Sequence, residues 1–135
     1  MKRFSLIFIL AMLFLFSSFG QIFAQATKIP KKTPELLSRG KKLYEQNCVP
    51  CHGQKGDGKG AAGVALKPPP RDFNIPLSQW TYSKGDLKKT FDVISKGVPN
   101  TGMVKWDHLS EEDRWGLVFY VAEFAAPPKA PAKKK

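Results

Sequence analysis

Two cysteines and a histidine are the residues of this chain whose types and spacing could carry chemistry. Cys48, Cys51 and His52 form a C-x-x-C-H pentapeptide, the pattern at which c-type haem is attached to a polypeptide. Each thiol adds to a haem vinyl group as a thioether, and the adjoining histidine becomes the proximal ligand of the iron through a ring nitrogen. The motif therefore predicts one haem c per chain, bound covalently at Cys48 and Cys51, with His52 on the iron.

Three other interpretations of the pentapeptide are weaker. A thioredoxin-like redox pair needs a βαβ context that the sequence lacks. A structural disulfide would give His52 no role. A tetrahedral zinc site would have to combine the motif residues with His108, the other histidine of the chain, and the adjacent Cys51 and His52 are poorly placed to bind one such ion. Haem attachment is the interpretation that uses all three residues.

The second axial ligand is predicted from the methionines. Met1 and Met12 lie in the N-terminal leader described below, so Met103 is the thioether that remains after cleavage, and it lies in a loop. A lone methionine often only fills a gap in a core, and His108 is a rival that would give a bis-histidine iron. We expect Met103, because thioether ligation raises the reduction potential and suits electron transfer.

The N-terminus has the pattern of a secretory signal peptide over residues 1–26. Lys2 and Arg3 precede an apolar run interrupted only by serines, and the segment that ends at Ala26 supplies a small-x-small cleavage site. The run is shorter than the roughly 18 to 20 apolar residues of a membrane-spanning helix. Cleavage after Ala26 is therefore favoured over the alternative, an uncleaved membrane anchor.

Three helices are predicted after a basic linker at residues 27–32. Thr33 is an expected N-cap followed by a proline and an acid. Ser83 opens a capping-box pattern, and Gly97 ends the helix that follows. Ser110 precedes three acids, which suit the first turn of a last helix. The predicted buried stripe of the last helix is Leu117, Tyr120, Val121 and Phe124.

The segment between the first two helices, residues 53–79, is rich in glycine and proline and predicts a long ordered loop wrapped on the haem. Its glycines do not match a nucleotide-binding or phosphate-binding motif. Four residues that flank the ligand segments could donate hydrogen bonds to the haem propionates, with plain core packing as the alternative for the aromatic ones. They are Arg71, Trp80, Tyr82 and Trp106.

The order of these features resembles the class I monohaem c-type cytochromes. A helix with Gly40 and Tyr44 comes first, then C-x-x-C-H, a Gly- and Pro-rich loop, a methionine loop and a final helix, so that the resemblance spans residues 33–126. It implies an all-α fold, the small cytochrome c fold, with about three main helices and long loops around one covalent haem. Residues 33–126 are then the cytochrome c domain.

The same resemblance implies specific contacts. The first and last helices would cross near a right angle, with Gly40 and Tyr44 meeting Leu117 and Tyr120. A proline carbonyl would accept the N–H of the proximal histidine, and each proline at 68–70 qualifies by position. The sequence does not choose among these three.

The chain is strongly basic, with a formal charge of +11 that becomes +9 once Lys2 and Arg3 leave with the leader. Such an excess favours redox partner proteins with acidic docking surfaces. No base-reading motif is present, so nucleic acid is not an expected partner. Residues 127–135, rich in Pro, Ala and Lys, predict a disordered tail that could make a weak contact with an anionic membrane surface.

These features predict an electron carrier with no catalytic chemistry of its own. Because the resemblance implies haem attachment outside the energised membrane of a bacterium, the protein is expected to be periplasmic or otherwise exported, or membrane-anchored if the leader is not cleaved. One alternative is a haem c subunit of a larger oxidase or dehydrogenase complex. A gas-binding or sensor haem protein is the other, and it would need a displaceable or absent sixth ligand.

Overall fold

The structure, a computed structural model, describes residues 28–125. Within that range the chain forms α-helices and no strand, which confirms the all-α prediction with three main helices. The elements are α1 (Pro34–Asn47), α2 (Val49–His52), a 3-10 helix (Leu77–Gln79), α3 (Leu87–Lys96) and α4 (Glu111–Ala122). No helix among the described residues is long and apolar enough to cross a membrane. The predicted signal peptide at 1–26 and tail at 127–135 lie outside the described residues, and the proposed domain boundaries stay predictions.

Side-chain caps start the two long helices as the sequence predicts. The Thr33 hydroxyl accepts the N–H of Leu36 at 3.2 Å, and a proline fills the first turn of α1. Ser110 Oγ accepts the N–H of Asp113 at 3.1 Å, and three acids lie in the first turn of α4. Each cap satisfies a backbone donor that has no partner inside the helix, so both helix starts are fixed by local sequence.

The predicted start of α3 at Ser83 is wrong. The N-cap is Asp86, whose carboxylate accepts the N–H groups of Lys88 and Lys89 at 2.8 and 3.2 Å. The intervening Lys84 and Gly85 have φ values of 52° and 88°, which lie in the left-handed region and cannot belong to a right-handed helix. The acid that was expected to complete a capping box is therefore itself the cap. The predicted C-terminal end at Gly97 is confirmed.

The crossing of α1 and α4 depends on two glycines. A Cβ on Gly40 would overlap the carbonyl oxygen of Gly116 and approach the backbone nitrogen of Leu117 to 2.9 Å. The ring centroids of Tyr44 and Tyr120 lie 5.3 Å apart beside this point. The expected packing of Gly40 and Tyr44 against the last helix is thus present. Gly116, which contacts Gly40 at the crossing, was not predicted from the sequence.

Helix α4 is buried on more than the predicted stripe. Leu117 and Val121 are buried as expected, whereas Tyr120 and Phe124 are only partly buried. Trp115, Val118 and Phe119 are buried as well. The reason is that α4 packs on α3 as well as on α1. On the α3 side, the ring of Trp115 stacks on Phe91 with centroids 4.6 Å apart.

Candidate functional site

The pentapeptide begins at Cys48, in the tight corner where α1 ends, and its other four residues form α2. The N–H of Cys48 donates to the carbonyl of Tyr44 at the end of α1, and the N–H of His52 donates to the carbonyl of Cys48, both at 2.8 Å. Because Cys48 and Cys51 are three residues apart in this helical corner, they lie on the same side of it. Cys48, Cys51 and His52 all line one cavity.

The two cysteines are half-buried and not joined to each other. Burial, together with the neighbouring Cys51, raises the pKa of the Cys48 thiol to about 12. A reactive redox cysteine has the opposite shift, because its thiolate must be populated near neutral pH. The environment of Cys48 therefore argues against a thioredoxin-like dithiol and agrees with a thiol that is used for attachment.

The glycine-rich loop packs on the backbone of the pentapeptide. A Cβ on Gly60 would overlap the carbonyl oxygen of Pro50, so only glycine lets the loop approach this closely. The Gly60 N–H donates to the carbonyl of Cys51 at 3.1 Å, and the Ala62 N–H donates to the carbonyl of Pro50 at 2.8 Å. The first half of the loop thus supports the motif, while its second half contributes Leu66 and the prolines to the cavity wall.

The cavity has a volume of about 320 Å³, and its lining includes Met103 as well as the motif residues. A small hydrogen-bonded turn holds Met103 in place. Its N–H donates to Thr101 Oγ1 at 3.1 Å, the Thr101 hydroxyl donates to the Val98 carbonyl at 2.8 Å, and the Val98 N–H donates to the Met103 carbonyl at 3.0 Å. The structure therefore brings Cys48, Cys51, His52 and Met103, the four predicted site residues, to one cavity.

His108, the rival ligand, lies elsewhere. It is exposed, its ring is 5.4 Å from that of Trp106, and the cavity lining does not include it. The neighbouring Trp106 does line the cavity. The rival site is thus not assembled in this conformation.

His52 is held in a form suited to ligation. Burial lowers the pKa of its imidazole, and the backbone of Arg71 partly opposes the shift, so the ring is neutral near pH 7, as a metal ligand must be. Its Nδ1 is buried without a hydrogen bond of normal geometry. The backbone group that acts on the ring belongs to Arg71, the residue after the prolines at 68–70, and none of those three prolines supplies it.

The four candidate donors to the propionates all line the cavity, but they differ in what else they do. Trp80 is buried, and its Nε1 donates to the Ile75 carbonyl at 3.2 Å, so its role is packing. Tyr82 is exposed at the cavity edge. Arg71 has a buried Nε without a partner, which makes this guanidinium the cation best suited to a buried carboxylate.

These residues fit a haem c. The cavity presents two thiols and a neutral imidazole from one corner, a thioether from another loop, an unpaired guanidinium nitrogen and otherwise mostly apolar walls. That set provides both attachment points, both axial donor types of an electron-transfer haem and a cation for a propionate.

A family model described as cytochrome c oxidase, cbb3-type, subunit III matches residues 35–121. The chain belongs to this family of c-type cytochromes. It is a monohaem c-type cytochrome with haem c as its cofactor, and electron transfer is the role of its haem domain. The matched range runs from the first turn of α1 to the last turn of α4, so it includes the whole cavity.

Curated relatives contain a similar domain within longer chains. The cytochrome is 30% identical to a thiosulfate dehydrogenase of Thiomonas intermedia over 95 residues, which are 68% of this chain and 27% of that one. It is 28% identical to the cbb3-type cytochrome c oxidase subunit CcoP of Azospirillum brasilense over 58% of this chain and 25% of that one. The match therefore spans about a quarter of each relative.

A solved structure has the same fold. The reducing HAO-like protein complex of Kuenenia stuttgartiensis contains a chain that aligns with a TM-score of 0.62 and 35% identity. The alignment covers 73% of the cytochrome and 45% of that chain. This likeness agrees with the small cytochrome c fold.

Proposed function

We propose that the cytochrome carries one electron at a time between partner proteins, on a haem c attached at Cys48 and Cys51 with His52 and Met103 as axial ligands. The observation that supports this most directly is the shared cavity, which is lined by Cys48, Cys51, His52 and Met103. When bound, haem c supplies an iron that cycles between the ferrous and ferric states.

The chain's own residues would keep the structural rearrangement between the two oxidation states small. The corner between α1 and α2 fixes the thiols and His52, and the turn at Val98–Met103 fixes the second ligand by three hydrogen bonds. The mostly apolar walls would limit contact with water, and the buried Nε of Arg71 would compensate the charge of a propionate. A rigid, apolar ligand cage with a thioether donor raises the reduction potential and limits rearrangement on electron uptake.

The alternative is a haem c subunit of a larger complex. It is favoured by the observation that the matching relatives, a thiosulfate dehydrogenase and an oxidase subunit, are about four times as long as the matched region. In both cases this chain would carry electrons and leave substrate chemistry to a partner, so we propose that it is not itself an enzyme. Isolation from its source would decide, because a subunit co-purifies with an oxidase or dehydrogenase and a carrier is recovered alone.

We also propose that the cytochrome is exported. The support is the signal-peptide pattern of residues 1–26. The mature N-terminus, read by mass spectrometry, should begin at Thr27. A mass that retains residues 1–26 would indicate the anchored form instead.

Covalent attachment is tested by extraction. Haem should stay with the polypeptide on a denaturing gel and after treatment with acid acetone, because thioether bonds survive both. A variant with Cys48→Ala and Cys51→Ala should lose haem staining and accumulate poorly. Free extraction of haem from the unaltered protein would rule out the proposed attachment.

Axial ligation is tested with a pair of variants. The ferric protein should show the weak far-red sulfur-to-iron charge-transfer band. Met103→Ala should abolish the band, lower the potential and open the ferrous iron to carbon monoxide, whereas His108→Ala, the matched control, should leave all three unchanged. Loss of normal ligation in the His108 variant, with Met103→Ala like the unaltered protein, would overturn the assignment.

A further inference from the structure

Phe73 lies face to face with the imidazole of His52. Their ring centroids are 4.7 Å apart and their planes differ by 16°. Phe73 also lines the cavity. Nothing in the sequence pointed to this residue, because it reaches His52 through the fold of the loop and not through spacing in the chain.

The loop holds Phe73 firmly in this position. Its N–H donates to the Gly56 carbonyl at 2.7 Å, and the side-chain amide of the next residue, Asn74, donates to the Lys55 carbonyl at 3.0 Å. These bonds tie the Phe73 segment to the chain that follows the pentapeptide directly. The histidine and the ring stacked on it therefore belong to one hydrogen-bonded unit.

Other rings surround Phe73. Phe124 lies nearly parallel to it, with centroids 6.5 Å apart and planes within 15°. Trp80 is tilted against it at 5.1 Å and is itself fixed by its hydrogen bond to the Ile75 carbonyl. Phe73 thus has little freedom to turn away from His52.

The usual device for orienting a metal-bound histidine is a hydrogen bond from its second ring nitrogen. In this structure the backbone of Arg71 acts on the His52 ring, but Nδ1 makes no hydrogen bond of normal geometry, whereas the Phe73 ring is stacked on a face of the imidazole. We propose that Phe73 is a positioning residue that fixes the plane of the His52 ring at the haem iron. This inference rests on the proposed ligation of the iron by His52.

The plane of an axial imidazole sets the orientation of the iron d orbitals, and the haem-methyl proton shifts of a low-spin ferric protein report it. The cyanide adduct is the suitable state, because cyanide displaces Met103 and is axially symmetric, so that His52 alone determines the pattern. A residue with a purely structural role would not change these shifts.

The experiment compares Phe73→Leu, which keeps bulk but removes the stack, with Phe73→Tyr, which keeps the aromatic face. In NMR spectra of the ferric cyanide adducts, Phe73→Leu should compress the spread of the haem-methyl shifts and Phe73→Tyr should preserve it. Phe119→Leu is the matched control, since Phe119 is buried against Trp115 and does not line the cavity. It should lose stability without changing the shifts.

Unchanged shifts in a folded Phe73→Leu adduct, or an equal change in Phe119→Leu, would overturn the positioning role. If Phe73→Leu does not fold, the unaltered protein still gives a test. A fixed ring makes the methyl shifts linear in inverse temperature, and marked curvature would contradict the proposal. Absence of hyperfine-shifted His52 ring protons in the unaltered adduct would instead overturn the ligation on which the proposal depends.

Discussion

The carbonyl oxygen of Gly116 faces the α-carbon of Gly40, and a methyl group on Gly40 would overlap it. The obstacle is backbone in the middle of α4, so it cannot swing aside like a side chain. The two helices can approach this closely only because neither residue carries a Cβ at the crossing. This contact sets how α1 presents the pentapeptide at its C-terminal end.

Gly40→Ala should therefore destabilise the protein although alanine is the better helix former. Overpacking costs up to about 3 kcal/mol, and the gain in helix propensity of about 1 kcal/mol offsets only part of it. We expect a net loss of about 2 kcal/mol in the free energy of unfolding, measured with urea by circular dichroism. Ser38→Ala, on the exposed side of α1, is the control, and equal stability of the two variants would contradict the close-packing argument.

Tyr44→Phe isolates a single buried hydrogen bond. The Tyr44 hydroxyl donates to the Gly53 carbonyl at 2.8 Å, directly after His52. Removing the donor leaves that carbonyl without a partner, which costs about 2 kcal/mol. Thermal and urea unfolding should show this loss.

The loss in Tyr44→Phe should be the same at ~pH 6 and ~pH 9, both below the ordinary tyrosine pKa of about 10. Burial, with a smaller contribution from Cys48, raises the pKa of Tyr44 further, so the hydroxyl stays a donor across this interval. A loss that disappears at the higher pH would mean that the hydroxyl is not the buried donor described here.

Local chemistry explains which parts of this structure the sequence could predict. The caps at Thr33 and Ser110 depend on residues within one turn of each other, and they were predicted correctly. The haem c that the pentapeptide predicts agrees with the family of the chain. The cap at Asp86 was missed because the left-handed backbone at Lys84 and Gly85 depends on the surrounding fold. Short-range patterns carry no information about that constraint.

The sequence also did not predict contacts between segments that lie far apart along the chain. Gly116 and Trp115 matter because α4 packs on two helices, whereas the sequence pattern suggested one buried stripe. The backbone of Arg71 and the ring of Phe73 reach His52 only when the loop is folded. The position of Met103 at the cavity, by contrast, agrees with its selection as the one methionine outside the leader.

Protonation of Asp113 should account for part of the stability that the cytochrome loses in acid. The Ser110 hydroxyl, and then the Arg39 guanidinium, hold the pKa of this carboxyl below its ordinary value, against an opposing effect of burial. A depressed folded pKa means that the stabilisation is present above the unfolded pKa of about 3.9 and is lost as pH falls through the folded pKa. Because the pair is partly exposed, about 0.5 to 1 kcal/mol is involved.

Asp113→Asn should therefore flatten the decline in unfolding free energy below ~pH 5. Urea unfolding at successive pH values measures this decline. Ser110→Ala and Arg39→Gln should each flatten the decline too, since both side chains lower the pKa of Asp113. Ser110→Ala also removes the N-cap of α4 and lowers stability at every pH, so the slope and not the absolute value is compared. An unchanged slope in Asp113→Asn would contradict the assignment.

The positive charge of the chain should govern how fast it exchanges electrons with charged reagents. Lys67 and Lys84 are exposed and directly adjoin cavity-lining residues. An excess of positive charge around the haem speeds encounter with anions and slows encounter with cations. Both effects weaken as salt shortens the screening length from roughly 30 Å at 0.01 M to roughly 10 Å at 0.1 M.

The ferrous protein should therefore reduce hexacyanoferrate(III), an anion, more slowly as salt rises, while its oxidation by the cation tris(1,10-phenanthroline)cobalt(III) should become faster. Changing Lys67 and Lys84 together to Gln should lower the low-salt rate with the anion and reduce its salt dependence. Changing Lys28 and Lys31, exposed residues ahead of α1, makes the same charge change away from the cavity lining and should have a smaller effect. Stopped-flow rates that do not change with salt for either reagent, or equal effects of the two lysine pairs, would show that charge near the cavity does not steer encounter. Docking on an acidic partner surface would then lose its physical basis.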